Sequence, residues 1–139
     1  MPAAIKICGI STPETLDAVL AARAEYVGFN FFPPSPRHVD PAAAAGLAQR
    51  AGDRIAKVGV FVDPDDGLLA EAVTAGRLDA IQLHGDEPAR RCAEVRSRFG
   101  LPVWKVIPVA NAADVSRAIS YRVAADFILF DAKTPKDAA

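Results

Sequence analysis

Short runs rich in β-branched and aromatic residues alternate with longer segments whose apolar residues recur at helical spacing. This alternation restricts the chain to a parallel sheet built from βαβ units. The runs expected to form strands are Ala4 to Cys8, Tyr26 to Phe31, Lys57 to Val62, Ala80 to Leu83, Val103 to Ile107 and Phe127 to Phe130. Each intervening helix opens on a residue whose side chain can accept a hydrogen bond from an unpaired amide. These caps are Thr12 before Pro13, Asp40 before Pro41, Asp65 or Asp66, Asp86 before Glu87, and Asn111. Leu16, Val19 and Leu20 fall on one face of the first helix, and Gly52, Gly76 and Gly100 stand where helix ends favour a left-handed residue.

Six such units in 139 residues repeat roughly every two dozen residues, the spacing of a (β/α)₈ barrel and tight for a doubly wound sheet. A doubly wound nucleotide fold also places a glycine-rich turn after its first strand, whereas Cys8-Gly9-Ile10-Ser11-Thr12-Pro13 holds one glycine. The expected fold class is therefore α/β, a TIM (β/α)₈ barrel that is incomplete, with about six of eight βα units in a single domain over residues 1–139. A whole barrel takes about 250 residues. If nothing follows Ala139, the first and sixth strands are expected to be open edges that invite pairing or aggregation.

A hydrophobic content of 51% with 24% charged residues is the balance of a folded soluble domain, and the formal net charge of −1 supplies no field to recruit nucleic acid or an anionic membrane. The partner expected is a small molecule, with oligomeric state unread. The amino terminus lacks a secretory pattern and no segment approaches the ~18 apolar residues of a membrane span, so a cytoplasmic location is expected. Cys8 and Cys92 are expected to stay reduced. His38 and His84 have no metal-ligand spacing, and no metal is expected. Arg90, Arg91, Arg96 and Arg98, interleaved with Glu87 and Glu94, read as a solvated helix face, and Cys92 as packing for that helix.

Polar residues near the carboxyl ends of buried strands are costly and point to function. Lys6 and Cys8 share one strand face, Gln82 and His84 another, and Asp131 falls in phase with Phe127 and Leu129. Because the strands are parallel, Cys8 and Asp131 are expected at one rim. Each has a bland reading beside the functional one: Cys8 as a buried filler, Asp131 as a cap, Gln82 and His84 as satisfied interior groups. Arg37, in the proline-stiffened loop Phe32-Pro33-Pro34-Ser35-Pro36-Arg37, is either a solvated loop residue or a clamp for a carboxylate or phosphate.

Five motifs occur in order at successive strand ends: Lys6-Ile7-Cys8-Gly9-Ile10, Gly28-Phe29-Asn30-Phe31-Phe32-Pro33 with Ser35-Pro36-Arg37, Val58-Gly59-Val60-Phe61-Val62, Gln82-Leu83-His84-Gly85 and Leu129-Phe130-Asp131. Together they resemble phosphoribosylanthranilate isomerase of tryptophan biosynthesis across nearly the whole chain. The resemblance implies an Amadori rearrangement of phosphoribosylanthranilate without a cofactor, with Cys8 as general base, Asp131 as general acid and Arg37 against the anthranilate. It also implies that Gln82, His84 and Lys6 border the substrate. We expect the Lys6 ammonium to favour the Cys8 thiolate; a thiolate fraction unchanged on Lys6→Met counts against this. The family's glycine-rich phosphate loops belong to the seventh and eighth units, so the 139 residues alone are expected to turn over little. Two competing readings are a non-catalytic partial barrel completed by another chain, and another phosphate-binding barrel enzyme such as indole-glycerol-phosphate synthase or a pentose-phosphate epimerase.

Overall fold

The computed structural model describes residues 3–133. They form β1 (Lys6–Ile7), α1 (Pro13–Ala21), β2 (Tyr26–Asn30), α2 (Pro41–Ala51), β3 (Ala56–Phe61), α3 (Asp66–Gly76), β4 (Ala80–Leu83), α4 (Ala89–Phe99), β5 (Val103–Val109), α5 (Ala112–Arg117) with a 3₁₀ turn over Ala118–Tyr121, and β6 (Phe127–Ala132). The strands make one parallel sheet in chain order, β1 to β6, the arrangement of a barrel wall in which each strand is laid beside its predecessor. Among the described residues β1 pairs only with β2 and β6 only with β5, so the wall is open between them.

Caps fix where the helices start. Thr12 Oγ1 accepts from the Thr15 amide at 3.2 Å, Asp40 Oδ1 from Ala43 at 2.8 Å and Asp65 Oδ1 from Leu68 at 2.8 Å. Asn111 and Asp114 cap each other's amides reciprocally. Asp86 does not cap. Its helix begins later, at Ala89 behind Pro88, because Pro88 restricts the residue before it to extended backbone and supplies no side-chain acceptor. Glu87 is therefore in the loop rather than on the arginine-bearing face of α4, and it is 2% exposed. Gly52 and Gly100 take positive φ at helix ends as expected, but after α3 the left-handed residue is Arg77 (φ 48°). Gly76 closes that helix instead because a Cβ there would press on Leu78 Cδ2 at 3.0 Å.

The two faces of the sheet bury different things. The outer face carries Val27, Phe29, Phe61, Ile81, Leu83, Val103 and Ile107 against Leu16, Val19, Leu47, Leu69 and Val95 of the helices. Fully burying each such side chain contributes about 1.5–3 kcal/mol, so this layer dominates the apolar stabilisation. The inner face is a smaller cluster of Val58, Ala80 and Trp104, with Tyr26 and Leu129 against it. Trp104 stands edge-on between Tyr26 and Phe127, with ring centroids 5.1 and 5.3 Å away. The expected alternation of faces therefore holds from β2 through β6, and β1 is shorter than Ala4 to Cys8 because only Lys6 and Ile7 find ladder partners.

At the amino-terminal rim one device repeats. The acidic residue before each even strand accepts the amide at the start of the preceding odd strand: Glu25 from Ile5, Asp79 from Lys57 and Asp126 from Val103, each at 2.8 Å. The backbone completes each clamp, since Asp79 and Asp126 donate to the Lys57 and Val103 carbonyls at 2.7 Å.

Candidate functional site

The carboxyl-terminal rim is built by glycines as much as by reactive groups. After β1 the chain turns at Gly9 (φ 79°), where the amides of Gly9 and Ile10 both donate to the Gly28 carbonyl at 3.0 and 3.2 Å. The turn leaves Cys8 exposed at the strand end. A Cβ on Gly28 would lie 2.9 Å from Cys8 Sγ and 3.2 Å from Lys6 Nζ, so the bare glycine gives thiol and ammonium room side by side. A Cβ on Gly9 would meet the Arg37 guanidinium at 2.7 Å; the arginine therefore lies across the turn next to Cys8. The Arg37 loop is pinned by Asn30 Oδ1, which accepts from the Phe32 amide at 2.8 Å, and by Ser35 Oγ, which accepts from the Arg37 amide at 3.2 Å.

On the opposite side, the His84 amide donates to the Phe61 carbonyl at 2.8 Å, and its Nε2 stands 3.4 Å from Asp131 Oδ2. Asp131 extends β6 in register with Pro108. Lys6, Cys8, Arg37, Gln82, His84 and Asp131 all border one open cavity of about 340 Å³, with Asn30 among them. Gln82 is 5% exposed, and its Oε1 has no hydrogen-bond partner among the described residues, which makes it an acceptor held ready at the cavity floor. All six residues singled out from the sequence are thus brought together.

A wider concavity, about 580 Å³, opens at the amino-terminal rim among Glu25, Arg54, Lys57 and Asp79. Four of its five charged groups are bonded to backbone: Glu25 and Asp79 accept from amides at strand starts, and Arg54 and Lys57 donate to the carbonyls of Arg50 and Gly52, while Asp53 is exposed. The smaller cavity, which gathers all six residues singled out from the sequence, is the candidate site. Cys92 is fully buried under α4, where desolvation pushes its thiol up, so the two free cysteines differ in kind. Among the described residues no group of three or more His, Cys, Asp or Glu is placed to hold a metal ion, and no helix is long and apolar enough to cross a membrane.

The arginines of α4 are less uniformly solvated than expected. Arg90 is exposed, but Arg91 reaches Asp66 at 2.8 Å and the Pro64 carbonyl, and Arg96 donates to the Val123 carbonyl. Asp66 is held below the usual carboxylate range by its bond to Arg91. Sequence reasoning missed Lys105 and Glu87, a buried ion pair behind the His84 loop. The available signal was a lysine inside the apolar run Val103–Ile107.

A parallel barrel wall whose strand ends gather a thiol, a carboxylate, a guanidinium and an imidazole around one cavity defines a (β/α)₈-barrel protein equipped for acid–base chemistry. The model of the N-(5'-phosphoribosyl)anthranilate (PRA) isomerase family matches residues 5–137, and the chain belongs to that family. It is 55% identical over 139 residues to the N-(5'-phosphoribosyl)anthranilate isomerase of Rhodopseudomonas palustris strain BisB18, covering all of this chain and 64% of that protein. Crystalline phosphoribosyl anthranilate isomerase from Thermotoga maritima superposes with a TM-score of 0.84 at 36% identity, over 97% of this chain and 64% of that one. A phosphoribosyl anthranilate isomerase in complex with reduced 1-(o-carboxyphenylamino)-1-deoxyribulose 5-phosphate gives a TM-score of 0.83 at 34% identity, over 95% and 66%. The chain thus spans slightly less than two thirds of the length of such relatives. The family match sets aside the other phosphate-binding barrel enzymes.

Proposed function

We propose that this chain carries the acid, the base and the carboxylate clamp of an N-(5'-phosphoribosyl)anthranilate isomerase of tryptophan biosynthesis. The observation that carries the reading is the placing of Cys8 and Asp131 at one cavity, with Arg37 lying across the turn beside the thiol. Asp131 donates a proton to the furanose ring oxygen, and the ring opens to a Schiff base. Cys8, as thiolate, then takes the proton from C2, giving an enolamine that tautomerises to the ketose. The Lys6 ammonium stands beside the thiol over the bare Gly28. Arg37 presents a planar fork of donors to the anthranilate carboxylate. His84, 3.4 Å from Asp131, orients the acid, and Gln82 offers its free acceptor to a substrate hydroxyl. The small-molecule substrate needs no cofactor in this scheme.

The test is titration of the 139-residue chain with the reduced analogue, reduced 1-(o-carboxyphenylamino)-1-deoxyribulose 5-phosphate, followed by NMR. Resonances of Cys8, Arg37, Gln82, His84 and Asp131 should move together while those at the amino-terminal rim stay put. Movement confined to other regions, or none at millimolar ligand, would favour the non-catalytic partial barrel. Turnover by these 139 residues alone is expected to be slight.

A further inference from the structure

Behind the candidate site lies a buried charged cluster that the proposed chemistry does not use. Lys105 and Glu87 side chains are each 1% exposed and meet at 2.7 Å. They grip the peptide units of Gly85 from both sides: the Gly85 amide donates to Glu87 Oε1 at 2.9 Å, and the Gly85 carbonyl accepts from Lys105 Nζ at 2.6 Å. Glu87 Oε2 accepts from the Asp63 amide at 2.8 Å, tying in the β3–α3 loop, and Tyr121 O–H donates to the Glu87 carbonyl at 2.8 Å. The Lys105 ammonium also stands 5.6 Å from the Tyr121 ring centroid. Asp63 closes on Gly85 from the third side, leaving no room for a side chain: a Cβ there would meet Asp63 Oδ2 at 2.6 Å.

An ion pair this deep is a poor way to gain stability, since desolvating both charges offsets most of their attraction and an apolar pair of the same volume would serve as well. What the pair does supply is position. Gly85 directly follows His84, and His84 reaches Asp131, a residue on a strand that is not β4's neighbour. We propose that Glu87 and Lys105 are positioning residues: by clasping Gly85 they aim the His84 imidazole at Asp131 and so set the orientation of the acid. The proposal rests on the isomerase reading only in naming Asp131 the acid.

The test compares ring ¹⁵N and ¹H resonances of His84 with and without Asp131→Asn, in the 139-residue chain and in its Glu87→Gln and Lys105→Met variants. In the parent, Asp131→Asn should displace the His84 ring signals. In either variant, at a temperature where it is folded, that displacement should be lost, a result that a purely stabilising role does not give; melting should fall in both, because each single change leaves a buried charge unpaired. Persistence of the displacement in both variants, or its absence in the parent, overturns the proposal. So does failure of both variants to fold, because the pair would then be structural; Glu87→Gln keeps shape and tests the case in which Lys105→Met alone collapses. Analogue titration reports separately on the isomerase reading, so the two can fail independently.

Discussion

The two rims of the sheet use the same residue types to opposite ends. At the amino-terminal rim the carboxylates of Glu25, Asp79 and Asp126 each accept from an amide at the start of a neighbouring strand, and Lys57 donates to backbone carbonyls. At the carboxyl-terminal rim Cys8 is exposed, Gln82 Oε1 has no partner among the described residues, and Arg37 lies over a glycine at the border of the cavity. A polar group that has found a backbone partner holds the fold; one kept from such a partner is available to a ligand. The difference teaches that function here is read from unfulfilled bonding capacity rather than from polarity or from the size of a concavity.

The largest effect expected is on turnover. In a chimera of these residues with the remaining third of the Rhodopseudomonas palustris relative, Cys8→Ser or Asp131→Asn should each lower kcat by about 10²–10⁴-fold, the usual worth of a general acid or base. Asp79→Ala, at the other rim, should leave kcat alone. Stability should show the reverse. Asp79→Ala and Asp126→Ala orphan a partly buried amide and should cost about 1–3 kcal/mol in urea unfolding, whereas Gln82→Met removes an unpaired acceptor, should leave stability unchanged or raised, and should weaken analogue binding. A loss of stability in Gln82→Met comparable to that in Asp79→Ala would erase the contrast between the rims.

Thiol chemistry sharpens the comparison at smaller scale. Iodoacetamide should modify exposed Cys8 well before buried Cys92, by mass spectrometry of the native chain, and the reduced analogue should protect Cys8 alone. The smallest effects concern pH. Arg50 beside Asp17 and Arg91 beside Asp66 hold these carboxyls below the ordinary 3.8. The unfolded chain therefore takes up protons first on acidification. The stabilisation is whole above the ordinary value and is lost as pH falls through the folded value, so urea midpoints should drop between about pH 5 and about pH 3. Cys92 has the opposite sign: raised above 9.0 by burial, it contributes fully below that pH, and its contribution fades as pH rises beyond it.

Local signals carried most of the fold. β4 lies where its apolar run ends, at Ala80–Leu83, and Thr12, Asp40, Asp65 and Asn111 cap as their side chains dictate, because strand phase and capping depend on neighbours in sequence. Asp86 misled because cap and turn chemistry look alike over four residues, and Pro88 postponed the helix. Strand phase also paired Lys6 with Cys8 and Gln82 with His84, and put Cys8 and Asp131 at one rim. The approach of His84 to Asp131 was not legible, since it depends on how strongly the sheet coils between β4 and β6. The same holds for Lys105 and Glu87, which look in sequence like a strand flaw and a helix surface residue and become partners only across the β4–α4–β5 return.

The carboxylate clamps join β2 to β1, β4 to β3 and β6 to β5, and none of the three bridges β2 to β3 or β4 to β5. The wall consequently has a grain. Its natural brick is a pair of strands with the helix between them, and its mortar lines fall after β2 and after β4. A chain cut or rejoined there keeps every clamp it started with, whereas a cut one strand earlier or later severs one.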